Sequence, residues 1–296
     1  ILSCGLNPRY SDIDPYHMAA SAIDEALRQI IAVGGDLERV ALLDNFCWGD
    51  PDQPDRLGGL VRAAQACYDL ATAFGTPFIS GKDSLNNEFN TGEEVIAIPP
   101  TLLISAIAVM EDARRALTMD LKEQDSLLYL VGTTYPELGG SHYLSLFGLK
   151  GTTVPQVRFP RARRIMLALS AAAREGLVRS CHDLSEGGLA VAAAEMAFAG
   201  RIGLELDLAR VPYEGPDEHR LDSVLLFSES NTRFLVEVRP DKAAAFEAAL
   251  EGLPRACVGK CNTHSDLVIR GLDGRSVVQA PLERLKAAWQ TPLVQH

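Results

Sequence analysis

Between Met18 and Val33 the apolar side chains of Ile23, Ala26, Leu27, Ile30 and Ile31 recur at helical spacing, and the pattern stops at Gly34-Gly35. That spacing predicts a helix with a buried face and a glycine just past its end. Leu57 to Phe74 repeats the pattern and is stopped by Gly75 and Pro77. The apolar runs Val40 to Leu43, Phe78-Ile79 and Thr101 to Met110 predict strands, the second leading into Ser80-Gly81-Lys82-Asp83-Ser84. After a charged stretch from Glu111 to Gln124 the alternation resumes. A strand is predicted over Ser126 to Val131, then a loop-rich Gly132 to Gly151, a helix over Arg161 to Glu175, a strand over Val178 to Ser180 and a helix over Gly188 to Ala199. Phe234 to Val238 alternates as a strand, Lys242 to Glu251 predicts a helix, and Ala256 to Gly259 and Leu267 to Ile269 predict short strands. The polar segment Asp207 to Asp222, with Pro212 and Pro216, predicts an exposed excursion. The whole predicts a mixed α/β chain of two domains, residues 1–112 and 125–296.

Length and composition agree with that division and narrow the partners. A chain of 296 residues is long enough for about two cores. With 47% hydrophobic and 23% charged residues it is globular rather than disordered. The 28 basic and 39 acidic residues leave a net charge of −11, which argues against nucleic acid or an anionic membrane as partner. No stretch approaches the ~20 apolar residues needed to span a bilayer. Ile1-Leu2-Ser3-Cys4 has neither a basic signal region nor an initiator Met, so the sequence is expected to be a piece of a longer chain. Six scattered cysteines fit a reducing cytoplasm, and Cys257 and Cys261 lack the second pair that zinc requires, so they are expected to be small core residues.

Several segments combine polar side chains with glycine where a ligand can approach. Gly75 to Ser84 has a strand, two glycines and a lysine, but five residues separate the glycines and Asp83 follows Lys82, so it is not a P-loop. Lys82 is left to pair with phosphate or with Asp83. Cys181-His182-Asp183-Leu184-Ser185-Glu186-Gly187-Gly188 lies between a strand and a helix start. Asp183 and Glu186 are hard oxygen ligands suited to a phosphate–Mg²⁺ complex, and equally Asp183 or Ser185 suits a helix cap. A serine hydrolase is disfavoured, because the nucleophile elbow is missing and adjacent His182 and Asp183 cannot form a relay. Glu25 and Gln29, four apart, share a helix face that can meet a cation; the alternative is a solvated face on which the neighbouring Asp24 and Arg28 form an ion pair. Asp44-Asn45 falls at a predicted strand end, Ser228-Glu229-Ser230 is either a contact group or an exposed turn, and His17 is placed to cap the first helix.

In this order the segments resemble the second half of the synthetase subunit of the phosphoribosylformylglycinamidine synthase family. The resemblance rests on Asn7 to Pro15, Ala22 to Leu27, Ala32 to Gly35, Leu43 to Gly49, Gly81 to Ser84, His182 to Gly188, Glu195 to Gly200 and Phe227 to Ser230. It implies the fold shared with aminoimidazole ribonucleotide synthase and selenophosphate synthetase. There an N-terminal domain forms a barrel-like core with a sister copy, and a C-terminal α/β domain packs outside. The activity implied is an ATP-dependent C–N ligase that converts formylglycinamide ribonucleotide to its amidine with ammonia from glutamine. By resemblance Asp44, Gly81 and Lys82 meet nucleotide across the interface with the missing first half, and Ser84 meets the ribonucleotide substrate. Glu25, Gln29 and Asp183 would hold Mg²⁺, and Ser185 nucleotide, at an auxiliary ATP/ADP site belonging to this half. No catalytic base is carried over, since the family's lies in the first half. A glutaminase is the further partner, and the piece alone is expected neither to turn over nor to remain unpaired. A non-catalytic half holding a structural ADP is the main alternative. Cys4 beside Gly5 lacks the glycine-rich context a selenophosphate synthetase requires.

Overall fold

The first long helix, α2 (Pro15–Ala32), begins where proline fixes the backbone of its first position and Asp14 supplies the cap. Asp14 Oδ1 accepts the N–H groups of Tyr16 at 2.9 Å and His17 at 3.1 Å, so the cap is Asp14 and not His17. Gly34, at φ +88°, takes the left-handed conformation that ends the helix, as its position in the sequence predicts. Helix α3 (Pro54–Phe74) is built alike, with Pro54 at its start and left-handed Gly75 at its end.

A computed structural model describes residues 1–291. Around α2 and α3 the N-terminal unit adds β1 (Leu2–Leu6), the short α1 (Pro8–Ser11), β2 (Val40–Cys47), β3 (Phe78–Ser84), the hairpin β4 (Glu88–Asn90) and β5 (Val95–Ala97), and β6 (Thr101–Ala108). The four longer strands form one open sheet in the order β1-β6-β2-β3, with β2 and β3 parallel and the other pairs antiparallel. Among the described residues this sheet does not close into a barrel. Its helix-side positions Leu42, Phe46, Leu102, Ile104 and Ala106 are buried, while Leu2, Leu6 and Ile107 on the other face are exposed. Two strands run further than the apolar runs suggest: β2 continues past Asp44, and β3 carries Gly81 to Ser84, which is therefore an edge strand and not a loop. Polar residues extend both strands because parallel pairing of Asp44 with Gly81 and of Cys47 with Ser84 satisfies their backbones.

The C-terminal unit contains β7 (Leu127–Val131), α4 (His142–Ser145), α5 (Phe159–Arg174), β8 (Ser180–Asp183), α6 (Gly188–Gly200), β9 (Gly203–Asp207), α7 (Asp222–Phe227), β10 (Phe234–Val238), α8 (Ala243–Ala249), β11 (Arg255–Asn262), β12 (Asp266–Arg270), β13 (Ser276–Pro281) and α9 (Leu282–Gln290). Its seven strands run in the order β13-β12-β9-β11-β7-β10-β8. β10 is buried at every position instead of alternating, because it lies between β7 and β8 with helices over both faces. One apolar core joins α2, α3 and the first sheet to α5 and one face of the second sheet; the other face packs on α6, α7 and α9. Of the segment Asp207 to Asp222, expected as an exposed excursion, residues 212–221 are mostly exposed but Leu208 and Val211 are buried in the second core, and Cys261 is buried and Cys257 half-buried in β11.

Candidate functional site

β1 approaches α2 so closely that a Cβ on Gly5 would lie 1.9 Å from the Ala22 carbonyl oxygen. This contact puts the polar face of α2 against strand backbone. Glu25 Oε2 accepts the Leu6 N–H at 3.0 Å and the Asn7 amide at 2.9 Å, and the Gln29 side-chain oxygen accepts the Cys4 N–H at 3.3 Å. Across from this face, β8 ends at Asp183 and the chain turns through Ser185 and Glu186 into α6. Between them lies a cavity of about 560 Å³ whose wall includes Glu25, Gln29, Asp183, Ser185 and Glu186. The structure thus brings together four residues that stand 160 positions apart in the chain, from Glu25 to Ser185.

The cavity is acidic, and its electrostatics follow from burial. Burial pushes the Glu25 carboxyl up to about 7; Glu186 and Asp183 add to the effect, and Arg28 and the Leu6 N–H oppose it. For Asp183 burial acts the same way, but the neighbouring His182 and Arg28 outweigh it and hold the carboxyl below its ordinary value. His182 lies with Nε2 2.8 Å from Glu195 Oε2 and Nδ1 3.6 Å from Asp183 Oδ1. Burial alone would lower it, yet these two carboxylates raise it to about 9, so the ring is an imidazolium at neutral pH. Ser185 Oγ donates to Asp183 Oδ2 at 2.8 Å.

Three expectations change here. Neither Asp183 nor Ser185 caps α6, because Gly187, at φ +76°, occupies the cap position. Ser228-Glu229-Ser230 is neither an exposed turn nor part of the Asp183 wall. Glu229 is buried and accepts the N–H groups of Gly187 and His142, each at 3.0 Å, and the Tyr10 hydroxyl at 2.6 Å, so it fixes the start of α6 from behind. Asp24 and Arg28 are not solvated: both are buried, and their ion pair sits directly behind Asp183. Arg28, three residues after Glu25, falls on the right side of α2, but only the docking of the second sheet reveals that this side is interior. Trp289 and His142 also border the cavity, and no local motif marks either.

The other predicted group is separate. Asp44 on β2 and Gly81 on β3 are register partners, with the Asp44 carboxylate lying over the Gly81 Cα so closely that a Cβ there would be 2.4 Å from Oδ1. Burial and the nearby Asp83 raise the Asp44 carboxyl, against the Lys82 N–H. Strand alternation puts Lys82 and Ser84 on the open face of the sheet, and their side chains are hydrogen-bonded to each other. β3 and β1 are opposite edges of the four-stranded sheet, three strand spacings or roughly 14 Å apart. The chain therefore holds two distinct polar groups and not one composite site.

Two family descriptions cover most of the sequence: "AIR synthase related protein, N-terminal domain" matches residues 1–110, and "AIR synthase related protein, C-terminal domain" matches residues 123–267. The chain belongs to the AIR synthase related family. Among curated relatives it is similar to phosphoribosylformylglycinamidine synthase subunit PurL of Deinococcus radiodurans, 35% identical over 97% of this chain and 38% of the relative. The same subunit of Thermococcus sibiricus is 32% identical over 96% of this chain and 38% of the relative. The chain thus spans under two fifths of the length of these relatives. Among solved structures, Thermotoga maritima PurL complexed with FGAR superposes with a TM-score of 0.79 at 20% identity, covering 96% of this chain and 45% of that one. The same protein complexed with ADP gives 0.75 at 20% identity. Escherichia coli HypE gives 0.69 at 17% identity and is covered over 87% of its length, so the same two-unit family fold also occurs in a chain of about this size.

Proposed function

We propose that the chain is the second of two related halves of a phosphoribosylformylglycinamidine synthase synthetase, acting in purine biosynthesis in the cytoplasm, with domains at residues 1–112 and 125–296. The observation that carries this reading is the separation of the two polar groups, one at the β2–β3 side of the four-stranded sheet and the other in the cavity between α2 and the end of β8. Gly81, Lys82 and Ser84 lie on the edge strand β3, Lys82 and Ser84 on the sheet's open face, and Asp44 reaches over Gly81 from the helix-facing side of the neighbouring β2, as expected of groups that complete a site shared with a sister half. Glu25, Gln29, Asp183 and Ser185 enclose a cavity within this half, as expected of its own nucleotide site. The reading includes a sister-half barrel, a glutaminase that supplies ammonia, and a formylglycinamide ribonucleotide substrate.

In the proposed reaction the substrate's amide oxygen attacks the γ-phosphorus of ATP, ADP departs, ammonia adds to the activated carbon, and phosphate leaves. This chain's part is to hold charge and position. Lys82 neutralises developing negative charge on the transferred phosphoryl, and Ser84 orients the ribonucleotide. Asp44, packed over Gly81, is the carboxylate that meets nucleotide at this edge.

Mg²⁺ fits the cavity's donor set. Among the described residues no cluster of three His, Cys, Asp or Glu groups could hold a metal by itself. Two carboxylates and an amide oxygen are nevertheless what Mg²⁺ takes when phosphate oxygens complete its shell. Among the described residues Glu25 Oε1 has no hydrogen-bond partner, which leaves that oxygen available to an ion. Glu25, Gln29 and Asp183 would hold the ion, which would screen nucleotide phosphates from the acidic wall.

The test is reconstitution. ATP- and ammonia-dependent amidine formation is expected when the chain is joined to the first half and absent from the chain alone; turnover by the chain alone overturns the reading.

A further inference from the structure

Arg28 is buried and makes its contacts in two directions. Toward the second sheet, it pairs with Asp24 and donates to Asn231 Oδ1 at 3.0 Å. Asp24 in turn accepts the Thr232 backbone N–H at 2.9 Å and the Thr232 hydroxyl. Thr232 adopts a left-handed backbone at φ +54°, an unusual conformation for a β-branched residue, and Asn231 donates to Ser21 Oγ at 2.9 Å. This is the lock that fixes the 231–232 segment of the C-terminal unit on α2. Toward the cavity, Arg28 donates to Ser185 Oγ at 3.0 Å, and its Nε, buried without a hydrogen-bond partner, points to Asp183 Oδ2 at 3.7 Å.

We propose that Arg28 is a positioning residue that makes nucleotide binding in the Glu25–Asp183 cavity and docking of the two units a single coupled equilibrium. This rests on the reading of that cavity as a nucleotide site. The guanidinium is 3% exposed and lies behind the wall, so it acts through Asp183 and Ser185 and not on the ligand. Arg28 engages Asp183 Oδ2 from behind while His182 Nδ1 approaches Oδ1 at 3.6 Å, so the carboxylate is fixed in the cavity wall, and by donating to Ser185 Oγ Arg28 fixes the hydroxyl beside it. A ligand that draws Asp183 into place tightens Arg28, hence Asp24, hence the Thr232 segment; reciprocity requires that loosening the lock weaken the ligand. A buried ion pair is poor evidence for stability by itself, so coupling gives this one a role that stability does not.

The experiment uses the full-length synthetase, titrated calorimetrically with ADP and Mg²⁺; the binding component that Asp183→Ala removes is the one belonging to this cavity. Asn231→Ala, remote from the cavity, is expected to weaken that component about tenfold, as loss of a partner behind a ligating residue does. Arg28→Met should weaken it further, and Arg28→Lys should recover part of the loss. Hydrogen exchange supplies the second readout: ADP with Mg²⁺ should slow exchange of the Thr232 amide in the wild type and not in Arg28→Met. A residue that merely held the units together would speed that exchange equally with and without ADP and leave the affinity of the folded protein unchanged. Unchanged affinity in a folded Asn231→Ala protein overturns the inference. If no component disappears in Asp183→Ala, the cavity reading itself falls, a separate result.

Discussion

Replacing Gly81 by alanine separates a packing role of the Asp44–Gly81 pair from a site role. The added Cβ would meet Asp44 Oδ1 at 2.4 Å, Oδ2 at 2.7 Å and Cγ at 2.8 Å, so the carboxylate must retreat by about 1 Å to reach ordinary contact. All three atoms belong to the end of one side chain at a partly open sheet edge, so rotation suffices and the backbone stays. Moving Asp44 off its rotamer costs about 1 kcal/mol. Alanine in place of glycine within a strand returns roughly 0.5–1 kcal/mol of backbone entropy. The sum is near zero, and the melting temperature should move by no more than a few degrees. A displacement of about 1 Å at a group that positions a reactant costs about 100-fold in rate. Thermal melts and ATP-dependent amidine formation by the reconstituted synthetase should therefore diverge: near-native stability with about a hundredfold loss of turnover. Gly75→Ala provides the opposite control, since Gly75 has a φ of +76° and open space around it. It should cost about 1 kcal/mol of stability and leave activity alone. Native turnover by Gly81→Ala would refute the assignment of Asp44 to nucleotide contact.

The other expectations concern the frame around the sites. Asp14 caps α2 and also accepts two hydrogen bonds from Arg62; burial would raise its pKa, but Arg62 and the His17 N–H outweigh it and lower the value from 3.8. Its contribution is therefore present above pH 3.8 and lost as pH falls through the depressed folded value. Urea melts should show Asp14→Ala less stable by about 1–2 kcal/mol at pH 7, with the gap closing as pH falls; a gap that does not narrow in acid would contradict it. Gly5→Ala cannot be relieved by side-chain rotation, because its Cβ would meet the Ala22 backbone, so denaturant unfolding should show a loss of about 3 kcal/mol. In the absence of a sister half the open face bearing Leu2, Ile79 and Ile107 should pair with a second copy. Size-exclusion chromatography with light scattering should show a dimer that Ile107→Asp disperses, and a monomer at high concentration would count against that face.

Helices were legible because their signals are local. Apolar residues at helical spacing, and glycine just past the end, place α2 and α3 to within three residues at each end. Strands made largely of polar residues were not. Gly81 to Ser84 has no hydrophobic alternation, and it forms β3 only because β2, distant in sequence, offers a parallel backbone to pair with. The same limit governs the site. Glu25, Gln29, Asp183 and Ser185 could be nominated from residue type, helix spacing and a strand–turn–helix context, since each of these is written within a few residues. Arg28 could not, because an Asp24–Arg28 pair at helical spacing has the same sequence whether water or a second sheet lies against it.

That ambiguity has a physical consequence for how the family divides labour. The cost of burying Asp24 and Arg28 is met only if Thr232, Asn231 and Asp183 all arrive from the other unit, so the inner cavity forms completely or not at all. The β3 edge imposes no such condition. Lys82 and Ser84 are exposed or half-exposed and satisfy each other, so that face can exist uncovered. On the proposed reading, a site completed between halves needs this kind of residue, polar and exposed yet satisfied within its own strand. A site that must be ready within one half needs the other, and the burial of Arg28 behind Asp183 is what distinguishes them.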